Sequence, residues 1–140
     1  GEMSGHFFFA ERWFGFDDGI YAAARLLEIL DGSGMAPEEL FATLPDGIST
    51  PEIKVEAPDG DPHAFVDRFK LVAKFEGARP STMDGLRVDW PDGWGLVRAS
   101  NTTPVLVMRF DADTNAGMAR IQQAFREQLH LVQPDLTLPF

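Results

Sequence analysis

The spacing of apolar residues changes character along this chain. Residues 7–16 are crowded with aromatics: Phe7, Phe8, Phe9, Trp13, Phe14 and Phe16. Apolar surface of that density belongs in a core rather than in water. Ile20, Ala23, Ala24, Leu27 and Leu30 then recur at helical spacing. Asp17 or Asp18 can cap that helix, and Asp31-Gly32-Ser33-Gly34 ends it. A short helix is expected from Pro37 to Leu44, with proline in its first turn and Pro45 beyond its end. Residues 46–51 read as a linker.

From residue 52 the rhythm alternates. Ile53 and Val55 sit between charged residues, a strand signal. Asp61-Pro62 is a cap followed by a first-turn proline, and Phe65, Phe69 and Val72 form a helical stripe. Leu86, Val88 and Trp90 alternate with Arg87 and Asp89 before a Pro91-Asp92-Gly93 turn. Trp94 to Val97 gives a third strand. Val105 to Phe110 gives a fourth, too continuously apolar for a one-sided strand and therefore central. Thr114 can cap a last helix with Met118, Ile121, Phe125, Leu129 and Val132 inward. The order β-α-β-β-β-α predicts an α+β fold: a four-stranded antiparallel sheet with both helices on one face. The expected boundary lies near residue 46, giving segments 1–45 and 46–140.

Composition narrows the partners. The 140 residues are 44 % hydrophobic, enough for a packed core. Twelve basic residues face twenty-two acidic ones, a net charge of −10. Such a chain repels nucleic acid and anionic membranes, although a local arginine cluster can still bind one small phosphate. There is no cysteine, which fits a reducing cytoplasm. No apolar run is long enough for a membrane-spanning helix, and the first residues lack a basic leader region. The chain does not begin with methionine, so a piece of a longer protein is expected.

Two stretches could carry chemistry. Arg98-Ala99-Ser100-Asn101-Thr102-Thr103-Pro104 joins two expected strands. It offers a guanidinium, three hydroxyls, an amide and backbone N–H groups, all donors suited to phosphate oxygens. Arg109 would add a second cation if it returned to the same edge. An ordinary polar hairpin has the same composition. At the other end, Glu2 and Ser4 can bond sugar hydroxyls, and His6 can move a proton near neutral pH. A plain chain end reads the same way. Asp59-Gly60-Asp61 and Asp17-Asp18-Gly19 resemble hard-cation pairs, but turn and cap roles account for them more simply. His63 and His130 read as isolated surface residues, and the Trp90–Trp94 pair as core. No P-loop, nucleophile elbow or H-E-x-x-H motif is present.

In combination these stretches resemble the α-D-phosphohexomutase superfamily, and most closely its bacterial phosphomannomutase/phosphoglucomutases. Gly1-Glu2-Met3-Ser4-Gly5-His6 looks like the sugar-binding loop of that family's third domain. Phe14-Gly15-Phe16-Asp17-Asp18-Gly19-Ile20-Tyr21 resembles the segment leading into the next helix. Residues 98–104 look like the phosphate-binding loop of the fourth domain. The resemblance runs to Leu138-Pro139-Phe140. It implies that residues 1–45 are a C-terminal remnant of an α/β third domain and that residues 46–140 are the phosphate-binding domain. It implies an enzyme that interconverts hexose 1-phosphate and hexose 6-phosphate (mannose or glucose) through a phosphoserine and a hexose 1,6-bisphosphate, which also serves as activator. Mg²⁺ would neutralise the moving phosphoryl group. Sugar and phosphate would be held by Glu2, Met3, Ser4, Gly5, His6, Arg98, Ala99, Ser100, Asn101, Thr102 and Arg109, with His6 as candidate acid–base.

The family's serine loop and its D-G-D-x-D-R metal loop are absent from this chain. Asp59-Gly60-Asp61 continues as Pro62-His63-Ala64 and departs from that pattern. The chain alone is therefore expected to be inactive and to need N-terminal domains as partners. Residues 1–45 are expected to be less ordered, or packed on another molecule, when the chain is isolated, and exchange of this element between two copies is one way to cover them. A non-catalytic sugar-phosphate module and an interaction domain are the competing functions.

Overall fold

The computed structural model describes residues 1, 5–44 and 47–140. The chain divides into two compact units, Gly1–Pro45 and Asp46–Phe140.

The larger unit is built on one antiparallel sheet. Its strands are β1 (Ile48–Ser49), β2 (Ile53–Glu56), β3 (Arg79–Ser81), β4 (Leu86–Trp90), β5 (Gly93–Ala99) and β6 (Val105–Ala112). The order is β1-β6-β5-β4-β3, with β2 also along β6. The four expected strands are present, and β6 lies inside the sheet. Two short strands extend it. The stretch read as a linker supplies β1, in which Ile48 pairs with Ala112 and Ser49 with Asp111. Thr50 bridges to β2: its N–H donates to Phe110 O at 2.9 Å, and its Oγ1 accepts from Phe110 N at 3.1 Å. Pro51 then has no N–H for the ladder, so the edge strand is broken in two. β3 is exposed at every residue and carries no alternation to read.

Helices α3 (Pro62–Val72) and α4 (Asn115–Val132) cover one face. Asp61 accepts from Ala64 N at 2.9 Å and Thr114 Oγ1 from Gly117 N at 3.0 Å, so each cap satisfies an otherwise orphaned N–H. Phe65 and Phe69 of α3, and Ile121, Phe125 and Leu129 of α4, are fully buried. They close on Val88, Val97, Leu106, Met108 and Phe110, the inward set of β4, β5 and β6. In α3 the stripe is completed by Val66, and Val72 is 44 % exposed. Gly95 admits the Phe125 ring: a Cβ there would lie 2.4 Å from Phe125 Cε2. Trp90 joins this core against Phe75 and Phe125, whereas Trp94 lies on the opposite face of the sheet. Successive strand residues point to opposite faces, and Trp94 is out of phase with buried Gly95 and Val97.

The smaller unit holds α1 (Gly19–Ser33) and α2 (Pro37–Ala42), the latter two residues shorter than its expected span. Asp18 caps α1 through Ile20 N and Tyr21 N, both at 3.0 Å, and left-handed Gly34 ends it. Trp13 stacks on Tyr21 at 4.3 Å. The apolar stripe of α1 is uncovered: Ile20 is 86 % and Leu27 65 % exposed.

Candidate functional site

The hairpin between β5 and β6 is braced from within. Ser100 N donates to Val105 O at 3.0 Å, and Val105 N to Thr103 O at 2.8 Å. Ser100 Oγ accepts from Thr103 N at 3.2 Å and lies 2.8 Å from Thr103 Oγ1. This hydroxyl shapes the loop as well as being a potential ligand donor. Asn101 and Thr102 are exposed, while Ala99 faces the core and can offer only its backbone. A second anchor runs from Ala57 N to Pro104 O at 3.0 Å.

Arg98 alternates with buried Val97 and Ala99, which places it on the helix-free face. Its partner in the ladder is Val107, and Leu96 pairs with Arg109. Arg98 and Arg109 are therefore diagonal neighbours on one face, about 7–8 Å apart at the backbone. Arg109 does not return to the loop edge; it stands farther into the sheet. Long side chains can nevertheless converge at that spacing. Arg109 Nε is shielded from solvent without a hydrogen-bond partner. Arg87, in the same cross-strand row as Leu96 and Arg109, is neutralised locally. Its Nη2 donates to Asp89 Oδ1 at 2.7 Å, and its guanidinium lies 4.1 Å over Trp94. Among the described residues no ion pair holds Arg98 or Arg109. Among the described residues this face thus presents two arginines without an ion pair, Arg98 where the hairpin begins and Arg109 farther into the sheet, in a strongly acidic chain.

Gly85 was not singled out from the sequence. It sits at φ +73, one step before β4, and its backbone packs flush on Val97 and Arg98. The Asp84-Gly85 dipeptide ahead of an alternating strand was a turn signal, but only the β4–β5 register shows what it touches.

In the smaller unit, Glu2, Met3 and Ser4 lie outside the described residues. Gly5 has φ +89 and is followed by His6, whose Nδ1–H donates to Asp17 Oδ2. A carboxylate on Nδ1 fixes the ring and favours the tautomer protonated there. Nearby, Arg12 grips Glu28 with two bonds of 2.9 Å, and Arg25 Nε lies 3.1 Å from the same carboxylate. Hydrogen bonding and charge from Arg12 hold the Glu28 carboxyl below its usual range. Arg25 also lies 5.0 Å over Phe9, tying the aromatic segment to α1.

Other sequence candidates have structural work. Asp61 and Asp18 are the helix caps described above. Asp59 occupies a left-handed turn at φ 58. Among the described residues no group of three His, Cys, Asp or Glu could hold a metal ion, so the donors present do not fit the Mg²⁺ that the resemblance implies. His63 is exposed, but His130 is half-buried, with Nε2 3.0 Å from Leu136 O. The chain after α4 folds back and buries Leu136, which draws His130 off the surface. No helix among the described residues is long and apolar enough to cross a membrane.

Comparison with known proteins agrees with this architecture. Residues 52–128 match the family model for the phosphoglucomutase/phosphomannomutase C-terminal domain. Residues 1–47 match that for alpha/beta/alpha domain III of the same proteins. The chain is 57 % identical to a phosphomannomutase/phosphoglucomutase of Pseudomonas syringae pv. tomato, over all of this chain and 30 % of the relative. It is 54 % identical to the Pseudomonas aeruginosa protein of the same name, with the same coverage. It is 55 % identical to a phosphoglucomutase of Neisseria meningitidis, over 99 % of this chain and 30 % of that protein. A crystal structure of a phosphoglucomutase/phosphomannomutase family protein from Burkholderia thailandensis superposes with a TM-score of 0.87 at 51 % identity, covering 100 % of this chain and 29 % of that one. The chain spans about 30 % of the length of the curated relatives it matches, and it belongs to the phosphoglucomutase/phosphomannomutase family.

Proposed function

We propose that this chain is the substrate-gripping C-terminal part of a phosphohexomutase that interconverts hexose 1-phosphate and hexose 6-phosphate. The observation that carries the reading is the residue 98–104 hairpin. It is a braced, donor-rich loop that rises from Arg98, with Arg109 farther into the same face, and among the described residues neither arginine has an ion pair. Arg98 gives a planar fork for phosphate oxygens, while Asn101 and Thr102 supply neutral donors that suit a tetrahedral anion. Glu2, Met3, Ser4, Gly5 and His6 are assigned to the sugar, with His6 oriented by Asp17 for proton transfer. Residues 1–45 are assigned to the family's third domain and residues 46–140 to its phosphate-binding domain.

The phosphoserine, the Mg²⁺ ligands and the remaining domains are assigned to sequence outside this chain, in a cytoplasmic enzyme that passes through a hexose 1,6-bisphosphate. Under this reading the phosphate bound here is the one not being transferred, so the loop positions substrate rather than performing chemistry. An amide chemical-shift titration with glucose 1-phosphate tests it. Shifts are expected at residues 98–103 and around Arg109. Shifts confined to other parts of the chain would defeat the assignment.

A further inference from the structure

We infer that Gly85 is a positioning residue for the phosphate site, holding Arg98 at its station by leaving no room for displacement beneath it. The inference rests on the proposed role of Arg98. Leu86 pairs with Val97, so the preceding residue lies against Arg98 in the ladder. A Cβ on Gly85 would stand 2.2 Å from Val97 O, 2.6 Å from Arg98 Cβ and 2.7 Å from Arg98 Cα. The first and last of these are backbone atoms, so no side-chain rotation relieves the overlap. Any side chain at position 85 must push β5 outward at the residue where the hairpin begins.

Two distinct demands meet at this glycine. Its φ of +73 disfavours ordinary L-residues, and the space above it excludes a Cβ. The turn at Gly77 separates them: its φ is +65, yet nothing lies within 4 Å of a Cβ there. Asparagine tolerates positive φ better than alanine does. If backbone conformation alone mattered, Gly85→Asn would restore what Gly85→Ala loses. If close approach to Arg98 matters, both variants fail in the same way.

The test uses the 140-residue chain and glucose 1-phosphate. Affinity comes from the amide titration, and the Arg98 Nε–Hε resonance reports the guanidinium without ligand. Thermal unfolding and peak dispersion report the fold. Gly85→Ala and Gly85→Asn are expected to remain folded, to shift the Arg98 Nε–Hε resonance and to weaken binding by about tenfold or more. Gly77→Ala is expected to leave both readouts unchanged. An unmoved resonance with wild-type affinity in Gly85→Ala would overturn the inference. So would rescue by Gly85→Asn, or a Gly85→Ala chain that fails to fold while Gly77→Ala folds, since glycine would then serve the fold as a whole. Arg98→Ala separates this inference from the reading beneath it. If Arg98→Ala leaves wild-type binding intact, the phosphate assignment itself falls, and the inference with it. If Arg98→Ala abolishes binding but Gly85→Ala does not, only the inference falls.

Discussion

At the scale of single residues, the same alternation that builds the core aims the candidate chemistry. Val97 and Ala99 point to the helices, so Arg98 must point away from them. The arginine is thereby set by register rather than by a flexible loop. Arg98→Ala removes a charge-assisted contact, and glucose 1-phosphate binding should weaken by about 1.5–3 kcal/mol, read from the titration. A loss confined to unfolding temperature, with affinity unchanged, would count against the assignment. The core has its own critical residue in Phe125. Its ring sits within 4.8 Å of Phe75 and 5.3 Å of Phe110, in the gap that Gly95 leaves open. Phe125→Ala should cost about 3–5 kcal/mol in urea unfolding, because the rigid sheet cannot collapse into the cavity. Gly95→Ala should cost about 1–3 kcal/mol by the opposite route, overpacking.

At the scale of elements, what the sequence revealed depended on whether an element buries one face. α4 was fully legible because Met118, Ile121, Phe125 and Leu129 all face the core and Thr114 caps it. β4 and β5 were legible for the same reason, and β6 from the continuous apolar run that its place inside the sheet requires. β1 and β3 were not: a two-residue strand has no period, and β3 buries none of its residues. The site divided along the same line. Hydroxyls and arginine marked the 98–104 loop, but Gly85 and the Arg87–Asp89–Trp94 cluster gain meaning only through cross-strand register. In α1 the legible stripe is exposed, and the element is held to the preceding segment by the Arg12–Glu28 bonds and by Tyr21 stacked on Trp13. The Glu28 carboxyl, held low first by its hydrogen bond from Arg12, adds stability that is present above its ordinary value of 4.5. That contribution is lost as pH falls through the lower folded value. Glu28→Gln should therefore flatten the acid limb of α1 unfolding, followed by amide exchange on its residues. An unchanged acid limb would show that the Arg12–Glu28 bond is decorative, as exposed ion pairs can be.

At the scale of the whole chain, apolar exposure is distributed unevenly. Phe14, Phe16, Ile20, Leu27, Ile29 and Leu44 of the smaller unit are each more than half exposed. The larger unit closes its core over the inward faces of its helices and strands. Apolar exposure of the first kind is relieved by burial against another molecule. It favours association in solution, which sedimentation at rising concentration would read as a growing mass. The chemistry is uneven as well. Loops for sugar and phosphate are proposed here, but the described residues offer no cluster for a divalent metal. Gripping without a phosphoryl donor can lower the cost of orienting a hexose phosphate, yet it creates no path for the phosphoryl group. The 140-residue chain should therefore bind glucose 1-phosphate without converting it. A coupled assay with glucose 1-phosphate, the 1,6-bisphosphate and Mg²⁺ should give no turnover above buffer. Adding the N-terminal domains of a family member as a separate chain should restore measurable turnover if the two parts assemble, and Arg98→Ala should reduce it. Turnover by the purified chain alone would place the missing chemistry within these 140 residues and overturn the division of labour proposed for them.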